Sequence, residues 1–174
     1  MKWPRGYIQI YTGNGKGKTT AALGLAVRAA GHGLRTYIAQ FMKGQFYGEL
    51  ESLHGIAEIT IEQFGKNTFV HIDRPEQEDI KMAQAGLAKA YEAMMSGRFQ
   101  IIILDEILVA IHFRLLTLKQ VMEFVNNKPT SVELILTGRY APAALIEKAD
   151  LVTEMAEVKH YYRQQVIARD GIER

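Results

Sequence analysis

The sequence predicts an α/β fold in which a mostly parallel β-sheet is flanked by helices on both faces. Short runs of β-branched and aromatic residues alternate with segments of helical periodicity along the chain, as in repeated strand and crossover-helix units. The run at 100–104, Gln-Ile-Ile-Ile-Leu, is apolar almost throughout, as a strand buried on both faces should be. A glycine-rich loop at 11–20 separates the first strand from the first helix and places a special turn at the edge of the sheet.

The predicted strands are short and rich in β-branched, aromatic or continuous apolar residues. They lie at 7–11, 35–41, 56–63, 100–104 and 132–136, with a strand or extended edge at 150–155. Between them, the stretch at 42–48 is polar and contains glycine, and the stretch at 64–74 is predicted to be a loop.

The predicted helices are recognised by their periodicity and by the residues at their ends. Ala22, Ala26 and Ala29 recur at helical spacing before Gly31, so a first helix is expected to end there. Pro75 begins a long helix, at a position where a missing N–H costs no helical hydrogen bond. Helices are predicted at 18–31, at 75–96, within 107–114, within 117–127 and at 142–148.

Length and composition predict one domain, 1–174, with an ordinary globular core. Apolar residues make up 48% of the 174 residues, and the net charge is 21 − 19 = +2, which gives no independent case for binding nucleic acid. The absence of cysteine excludes disulfides and thiolate metal sites. Neither a signal peptide nor a membrane-spanning run is recognisable, so we expect a cytoplasmic protein.

Residues 11–20, Tyr-Thr-Gly-Asn-Gly-Lys-Gly-Lys-Thr-Thr, form a loop of the kind that binds nucleoside triphosphates. Glycine allows a tight turn, so that backbone N–H groups converge on phosphate oxygens at the start of a helix. Lys18 is expected near the β- and γ-phosphates, and the Thr19 hydroxyl is expected to hold Mg²⁺. The residues predicted to bind ATP in this loop are Gly13, Asn14, Gly15, Lys16, Gly17, Lys18, Thr19 and Thr20.

The loop is one residue shorter than the standard pattern. Only three residues separate Gly13 from Gly17, where the usual motif has four, so the phosphates should be seated differently from those in an ordinary NTPase. The fold class that follows is nonetheless that of the P-loop NTPases, with a RecA-like sheet.

Carboxylates and an arginine follow two of the predicted strands. Asp105 and Glu106 come directly after the strand at 100–104, and ligands of parallel sheets bind beyond the carboxyl ends of the strands. With Thr19, these acids are predicted to hold Mg²⁺. Arg139 follows the strand at 132–136 and could pair with a phosphate oxygen, and Arg28 could either reach the nucleotide or be solvated.

Several segments together resemble the ATP:corrinoid adenosyltransferases of the P-loop type. The likeness covers roughly residues 7–174 and includes the shortened loop, Thr-Gly-Asn-Gly-Lys-Gly-Lys-Thr-Thr-Ala-Ala at 12–22. It continues through Gln-Phe-Met-Lys-Gly at 40–44, Leu-Asp-Glu at 104–106, Thr-Gly-Arg at 137–139, Ala-Asp-Leu-Val-Thr-Glu-Met at 149–155 and Val-Lys-His at 158–160.

The resemblance implies that a reduced Co(I) corrinoid attacks C5′ of ATP and releases triphosphate. Lys18, Thr19 and Glu106 would then be the catalytic residues, because they would stabilise the departing triphosphate directly or through Mg²⁺. The family also implies a homodimer and a flavoprotein reductant. Two small-molecule substrates, ATP and a corrinoid, are therefore expected, without nucleic acid or membrane.

The segments expected to contact the corrinoid depart in part from the family pattern. By resemblance, Met42, Lys43, Phe69 and His71 are predicted to bind the corrinoid, but the family commonly has tryptophan where this chain has His71. The chain begins about six residues before its first predicted strand, so the helical extension that covers the corrinoid in well-known members is expected to be absent or supplied otherwise.

Two other functions share part of this motif set. A generic RecA-like ATPase or kinase would use the same Lys18, Thr19, Asp105 and Glu106 but would release ADP or orthophosphate. A non-catalytic module would bind nucleotide or corrinoid and would release neither of these products. The shortened loop argues against the first alternative, and the intact Thr19 and Glu106 argue against the second.

Overall fold

The computed structural model describes residues 4–67 and 75–173. Within them, six strands form one sheet in the order β3-β2-β4-β5-β1-β6, and every neighbouring pair is parallel. The strands are β1 (Ile8–Thr12), β2 (Thr36–Phe41), β3 (Ile59–Phe64), β4 (Ile101–Asp105), β5 (Glu133–Thr137) and β6 (Leu151–Glu154). The predicted α/β fold is thereby confirmed.

Helices connect consecutive strands and cover both faces of the sheet. They are α1 (Lys18–Ala30), α2 (Gly48–His54), α3 (Gln77–Met95), α4 (Ile107–His112), α5 (Leu118–Asn126) and α6 (Ala143–Lys148), and a 3₁₀ turn at Tyr161–Gln164 lies in the tail. Among the described residues, no helix combines the length and apolarity needed to span a membrane.

The apolar residues of the central strands divide between two cores, one on each face. On β2, Ile38 points to the core beneath α1, whereas its neighbours Tyr37 and Ala39 belong to the opposite core. The same alternation on β4 sends Ile103 to the α1 side and Leu104 to the α3 side. Because both faces are buried, the central strands are apolar in consecutive positions rather than in every second one.

The predicted elements are confirmed with shifts of one to three residues at their ends, but α2 was missed. The sequence analysis assigned no element to 49–55, and the structure shows a helix at Gly48–His54. This helix is only 7 residues long, begins with glycine, and has no side-chain cap at Tyr47. A segment this short has too little intrinsic helical stability to be recognised without the tertiary contacts that fix it.

Two helical glycines should respond to alanine with opposite signs. A Cβ on Gly86 of α3 would lie 2.6 Å from the Phe64 ring, whereas a Cβ on Gly24 of α1 would meet nothing within 4 Å. We expect Gly24→Ala to raise the free energy of unfolding by about 0.5–1 kcal/mol, because alanine is the better helix former. Gly86→Ala should lower it by about 1 kcal/mol or more, because the added methyl group overpacks the core.

Denaturant unfolding of both variants would measure the difference. A stabilising Gly86→Ala would contradict the close packing of α3 on β3 described above.

Candidate functional site

The glycine-rich loop connects β1 to α1, and the segment that follows β6 supports it from behind. Gly13 and Gly17 have φ values of 95° and 115°, in the left-handed region that favours glycine. The Gly15 N–H donates to the Met155 carbonyl oxygen at 2.6 Å. A Cβ on Gly13 or Gly15 would lie 2.5 or 2.6 Å from that same oxygen. The loop therefore requires glycine for its backbone conformation and for its close approach to Met155.

Lys18, the first residue of α1, folds back into the loop. Its ammonium donates to the carbonyl oxygens of Gly13 and Gly15, at 2.8 and 2.6 Å. Burial lowers the pKa of Lys18, and Arg139 adds to this effect, while the acids at Glu106 and Asp105 oppose it. The lysine thus places a desolvated positive charge at the centre of the loop, where an anion would be held most strongly.

Asp105, at the end of β4, accepts hydrogen bonds from four side chains that come from three segments, the start of α1, the end of β2 and the end of β5. Its Oδ1 accepts from the hydroxyls of Thr19 at 2.8 Å and Thr137 at 2.7 Å. Its Oδ2 accepts from Lys43 Nζ at 2.9 Å and from Gln40 Nε2 at 3.2 Å. The carboxylate has 0% exposure, so these four donors replace its hydration entirely.

Glu106 follows Asp105 and is turned toward the site by an unusual backbone conformation. Its φ is 62°, which is the left-handed region, and its N–H donates to the Thr137 hydroxyl at 2.9 Å. Among the described residues, no protein group donates a hydrogen bond to its carboxylate. Burial and the neighbouring Asp105 raise the pKa of Glu106, although Lys43, Lys18 and Arg139 act in the opposite direction. A non-glycine residue held at positive φ with an unpaired carboxylate is typical of a functional position.

Lys43, predicted to bind the corrinoid, lies inside this group of polar side chains. Its ammonium contacts Asp105 and, at 3.4 Å, Glu49 Oε1, and it lies 4.9 Å from the centre of the Tyr47 ring. Burial would lower the pKa of Lys43, but Asp105, Glu49 and Glu106 outweigh burial and raise it. The lysine is therefore fully charged and serves first as the counter-ion of the buried Asp105.

A cavity of about 570 Å³ opens in front of the loop. It is bordered by most of the residues that the sequence analysis assigned to the nucleotide, together with Lys43; these are Asn14, Gly15, Lys16, Gly17, Lys18, Thr19, Thr20, Lys43, Glu106 and Arg139. Gly13, Met42 and Asp105 lie next to this wall but do not border the cavity. Arg28 is exposed in the last turn of α1, at the other end of the helix from the loop. The predicted Phe69 and His71 lie outside the described residues.

Two further groups of residues border the cavity but were not among the residues predicted for the site. The first comes from α2 and its N-terminus, Tyr47, Gly48, Glu49 and Ser52, and the second from the tail, His160, Gly171, Ile172 and Glu173. His160 stands in the Val-Lys-His segment at 158–160 that is part of the family resemblance, but the resemblance does not by itself show which side chains border the cavity. That placement depends on the short helix α2 and on the return of the chain after β6.

The oxygen-rich wall fits a magnesium ion by its chemistry. Mg²⁺ prefers oxygen ligands and is commonly held by one or two protein groups, with phosphate oxygens and water completing its coordination. The Thr19 hydroxyl and the Glu106 carboxylate both border the cavity. Within 4–67 and 75–173, no three His, Cys, Asp or Glu side chains form a preformed metal cluster, so the nucleotide would have to supply the remaining ligands.

Thr137→Val should destabilise the protein because it removes one buried and one partly buried hydrogen bond at once. The Asp105 carboxylate would lose a donor and the Glu106 N–H would lose its acceptor. We expect the free energy of unfolding to fall by about 1–3 kcal/mol.

Thr36→Val is the matched control, since the buried Thr36 hydroxyl has no hydrogen-bond partner in the part of the chain that the structure describes. This change should be neutral or stabilising in the same denaturant titration. Equal losses in the two variants would argue against the role given to Thr137.

Glu106→Gln should stabilise the protein near pH 7. The folded-state pKa is raised above the ordinary 4.5, so the folded protein binds this proton more tightly than the unfolded chain does. The stability of the wild type therefore falls as the pH rises from about 4.5 through the folded pKa, and stays lower above it. Glutamine cannot ionise, so the variant should be more stable at pH 7 and lose that advantage below pH 4.

Unfolding curves recorded across this pH range would test the expectation, with Glu147→Gln on the exposed surface of α6 as the control. A loss of stability at neutral pH in Glu106→Gln would show that the carboxylate is satisfied in the folded protein.

The sequence of this chain is similar to the sequences of one known protein family. Residues 4–174 match the family model described as ATP:corrinoid adenosyltransferase BtuR/CobO/CobP. The chain is 32% identical over 171 residues to the corrinoid adenosyltransferase of Pseudomonas aeruginosa, covering 97% of this chain and 84% of the relative. It is 34% identical to the corrinoid adenosyltransferases of Sinorhizobium sp and Escherichia coli (strain K12), covering 97% of this chain and 80% or 86% of those proteins. These matches run from before the phosphate loop to the tail, and the chain therefore belongs to the ATP:corrinoid adenosyltransferase family.

Proposed function

We propose that this protein transfers the 5′-deoxyadenosyl group of ATP to the Co(I) centre of a reduced corrinoid and releases triphosphate. The observation that carries the proposal is the meeting of Lys18, Glu106 and Arg139 around one cavity at the shortened phosphate loop. In this reaction the Co–C5′ bond forms while the bond from C5′ to the triphosphate oxygen breaks. The two electrons come from Co(I), and the bonding pair leaves with the triphosphate.

The residues of the loop would act on the leaving group. Negative charge develops on the triphosphate as the C5′–O bond breaks, and a preorganised cation in a desolvated site stabilises such charge most effectively. Lys18 is such a cation, since it is 7% exposed and already fixed by two carbonyl oxygens. Arg139, after β5, adds a second positive charge on the same cavity wall.

Thr19 and Glu106 are the residues we assign to Mg²⁺, with Asp105 behind them. When bound, the ion would neutralise charge on the triphosphate. Asp105 holds the Thr19 hydroxyl by the hydrogen bond described above, so it orients this ligand more than it offers a free oxygen of its own. Glu106, without a protein donor among the described residues, has both oxygens available for a cation or its waters.

The corrinoid would approach the open side of the cavity beyond the nucleotide. Lys43 and Tyr47 border this cavity, and Met42 precedes Lys43 in a left-handed conformation with φ 59°. Met42, Lys43, Phe69 and His71 remain our assignment for the corrinoid contact, on the strength of the family resemblance. A homodimer and a flavoprotein reductant are proposed on that same resemblance, and a cytoplasmic location is proposed on the composition and the apolar pattern of the sequence.

Anaerobic incubation with Mg-ATP and chemically reduced cob(I)alamin tests the proposed function. We expect loss of the Co(I) absorbance, a light-sensitive product and one triphosphate per corrinoid. Lys18→Met should lower kcat by about 100-fold or more, because it removes the central cation from the leaving-group site. Thr36→Val, away from the cavity, serves as a control that should keep full activity.

Release of ADP or orthophosphate without a change in the corrinoid would overturn the proposal in favour of an ordinary NTPase. Binding of both substrates without any product would favour a delivery module.

A further inference from the structure

The tail after the 3₁₀ turn returns to the phosphate loop and receives the side chain of Lys16. The Lys16 ammonium donates to Glu173 Oε1 at 2.7 Å, to the Ile172 carbonyl oxygen at 2.9 Å and to the Tyr161 hydroxyl at 3.1 Å. An ammonium group has three N–H donors, so these three acceptors use all of them. Lys16 is therefore engaged by the tail, in contrast to Lys18, which is engaged by the loop itself.

The three acceptors are arranged by contacts within the tail. The Glu173 carboxylate accepts from the Arg169 N–H at 2.9 Å and from two nitrogens of the Arg169 guanidinium at 3.3 Å, and it also contacts the Tyr161 hydroxyl. The guanidinium lies 4.9 Å from the centre of the Tyr161 ring. Arg169 first, then Lys16 and Tyr161, hold the pKa of Glu173 well below its usual range, so this carboxylate stays ionised. Tyr161, Arg169, Ile172 and Glu173 are referred to below as the tail socket.

Two residues of the tail socket, Ile172 and Glu173, form part of the cavity wall. Gly171, Ile172, Glu173 and the preceding His160 border the same cavity as the phosphate loop. Lys16 is the one phosphate-loop side chain that donates hydrogen bonds to this wall among the described residues. Without the Lys16 ammonium, the wall would lose these three hydrogen bonds to the loop.

We propose that Lys16 anchors the tail and does not act as a phosphate ligand, and that Glu173 is a positioning residue whose ion pair with Lys16 closes the tail over bound ATP. This inference rests on the proposed function, because it takes ATP to be the occupant of the cavity. It also revises the assignment of Lys16 made from the sequence, where its position in the loop alone suggested contact with phosphate.

The anchoring can be tested without any nucleotide. Amide hydrogen exchange of residues 160–173, followed by mass spectrometry, should be faster in Lys16→Met and in Glu173→Gln than in the wild type. Glu157→Gln is the matched control, because the Glu157 carboxylate pairs with Arg163 at 2.6 Å within the same part of the chain but does not touch the loop. Unchanged exchange in Lys16→Met would overturn the anchor.

The effect on ATP is tested by a double-mutant cycle. We expect each single variant to raise KM for ATP roughly 3- to 10-fold with little change in kcat, as for the loss of a partly exposed ion pair. The double variant Lys16→Met/Glu173→Gln should be no worse than either single variant, because both changes open the same contact. KM for the corrinoid should not move.

A phosphate-binding Lys16 gives a different pattern in the same cycle. Lys16→Met would then raise KM for ATP, Glu173→Gln would leave it unchanged or lower it by removing a competing anion, and the two effects would add. That pattern would overturn the proposal. Failure of the proposed function is recognised separately, since it alters the products of the wild type and leaves the hydrogen-exchange result untouched.

Discussion

The site depends on one buried carboxylate. Asp105 is placed at the carboxyl end of the central strand β4 and accepts from Thr19 after the loop, Gln40 and Lys43 at the end of β2, and Thr137 at the end of β5. A buried carboxylate without such donors would be strongly disfavoured, so the requirement to satisfy it fixes the ends of three strands and the start of α1 relative to one another. Asp105 thus organises the site in which its neighbour Glu106 is left available.

The adjacent acids Asp105 and Glu106 have different roles, since the first is a structural residue and the second is available for chemistry. Asp105 continues the strand, points into the sheet edge and has every oxygen engaged. Glu106 takes a left-handed conformation, which turns its side chain away from those donors and into the cavity. Leaving the Glu106 carboxylate without a hydrogen-bond donor from the described part of the chain costs folding free energy. The same carboxylate would be able to bind a cation that accompanies the triphosphate.

The fold and the glycine-rich loop could be predicted from the sequence because they rest on local signals. Alternating strand and helix patterns gave the parallel sheet, and the glycine spacing with Lys18 and Thr19 gave the loop. The engagement of Lys43 by Asp105 could not be predicted, since it depends on β2 and β4 being neighbours in the sheet. The tail socket could not be predicted for the same reason, because Lys16 and Glu173 lie 157 positions apart and the loop motif does not identify the partner of Lys16.

The support of the loop by Met155 has a consequence for how the protein is made. The phosphate loop is synthesised before the segments that support it, because its rear contact comes from the residue after β6 and its front contact from the tail. A growing chain that has not reached residue 151 can pair β1 with β5 and can fold Lys18 onto Gly13 and Gly15, but it lacks the Met155 carbonyl oxygen that accepts from the Gly15 N–H. The support of the loop is therefore completed only after Met155 and the tail have been made, later than the pairing of the five strands β1–β5.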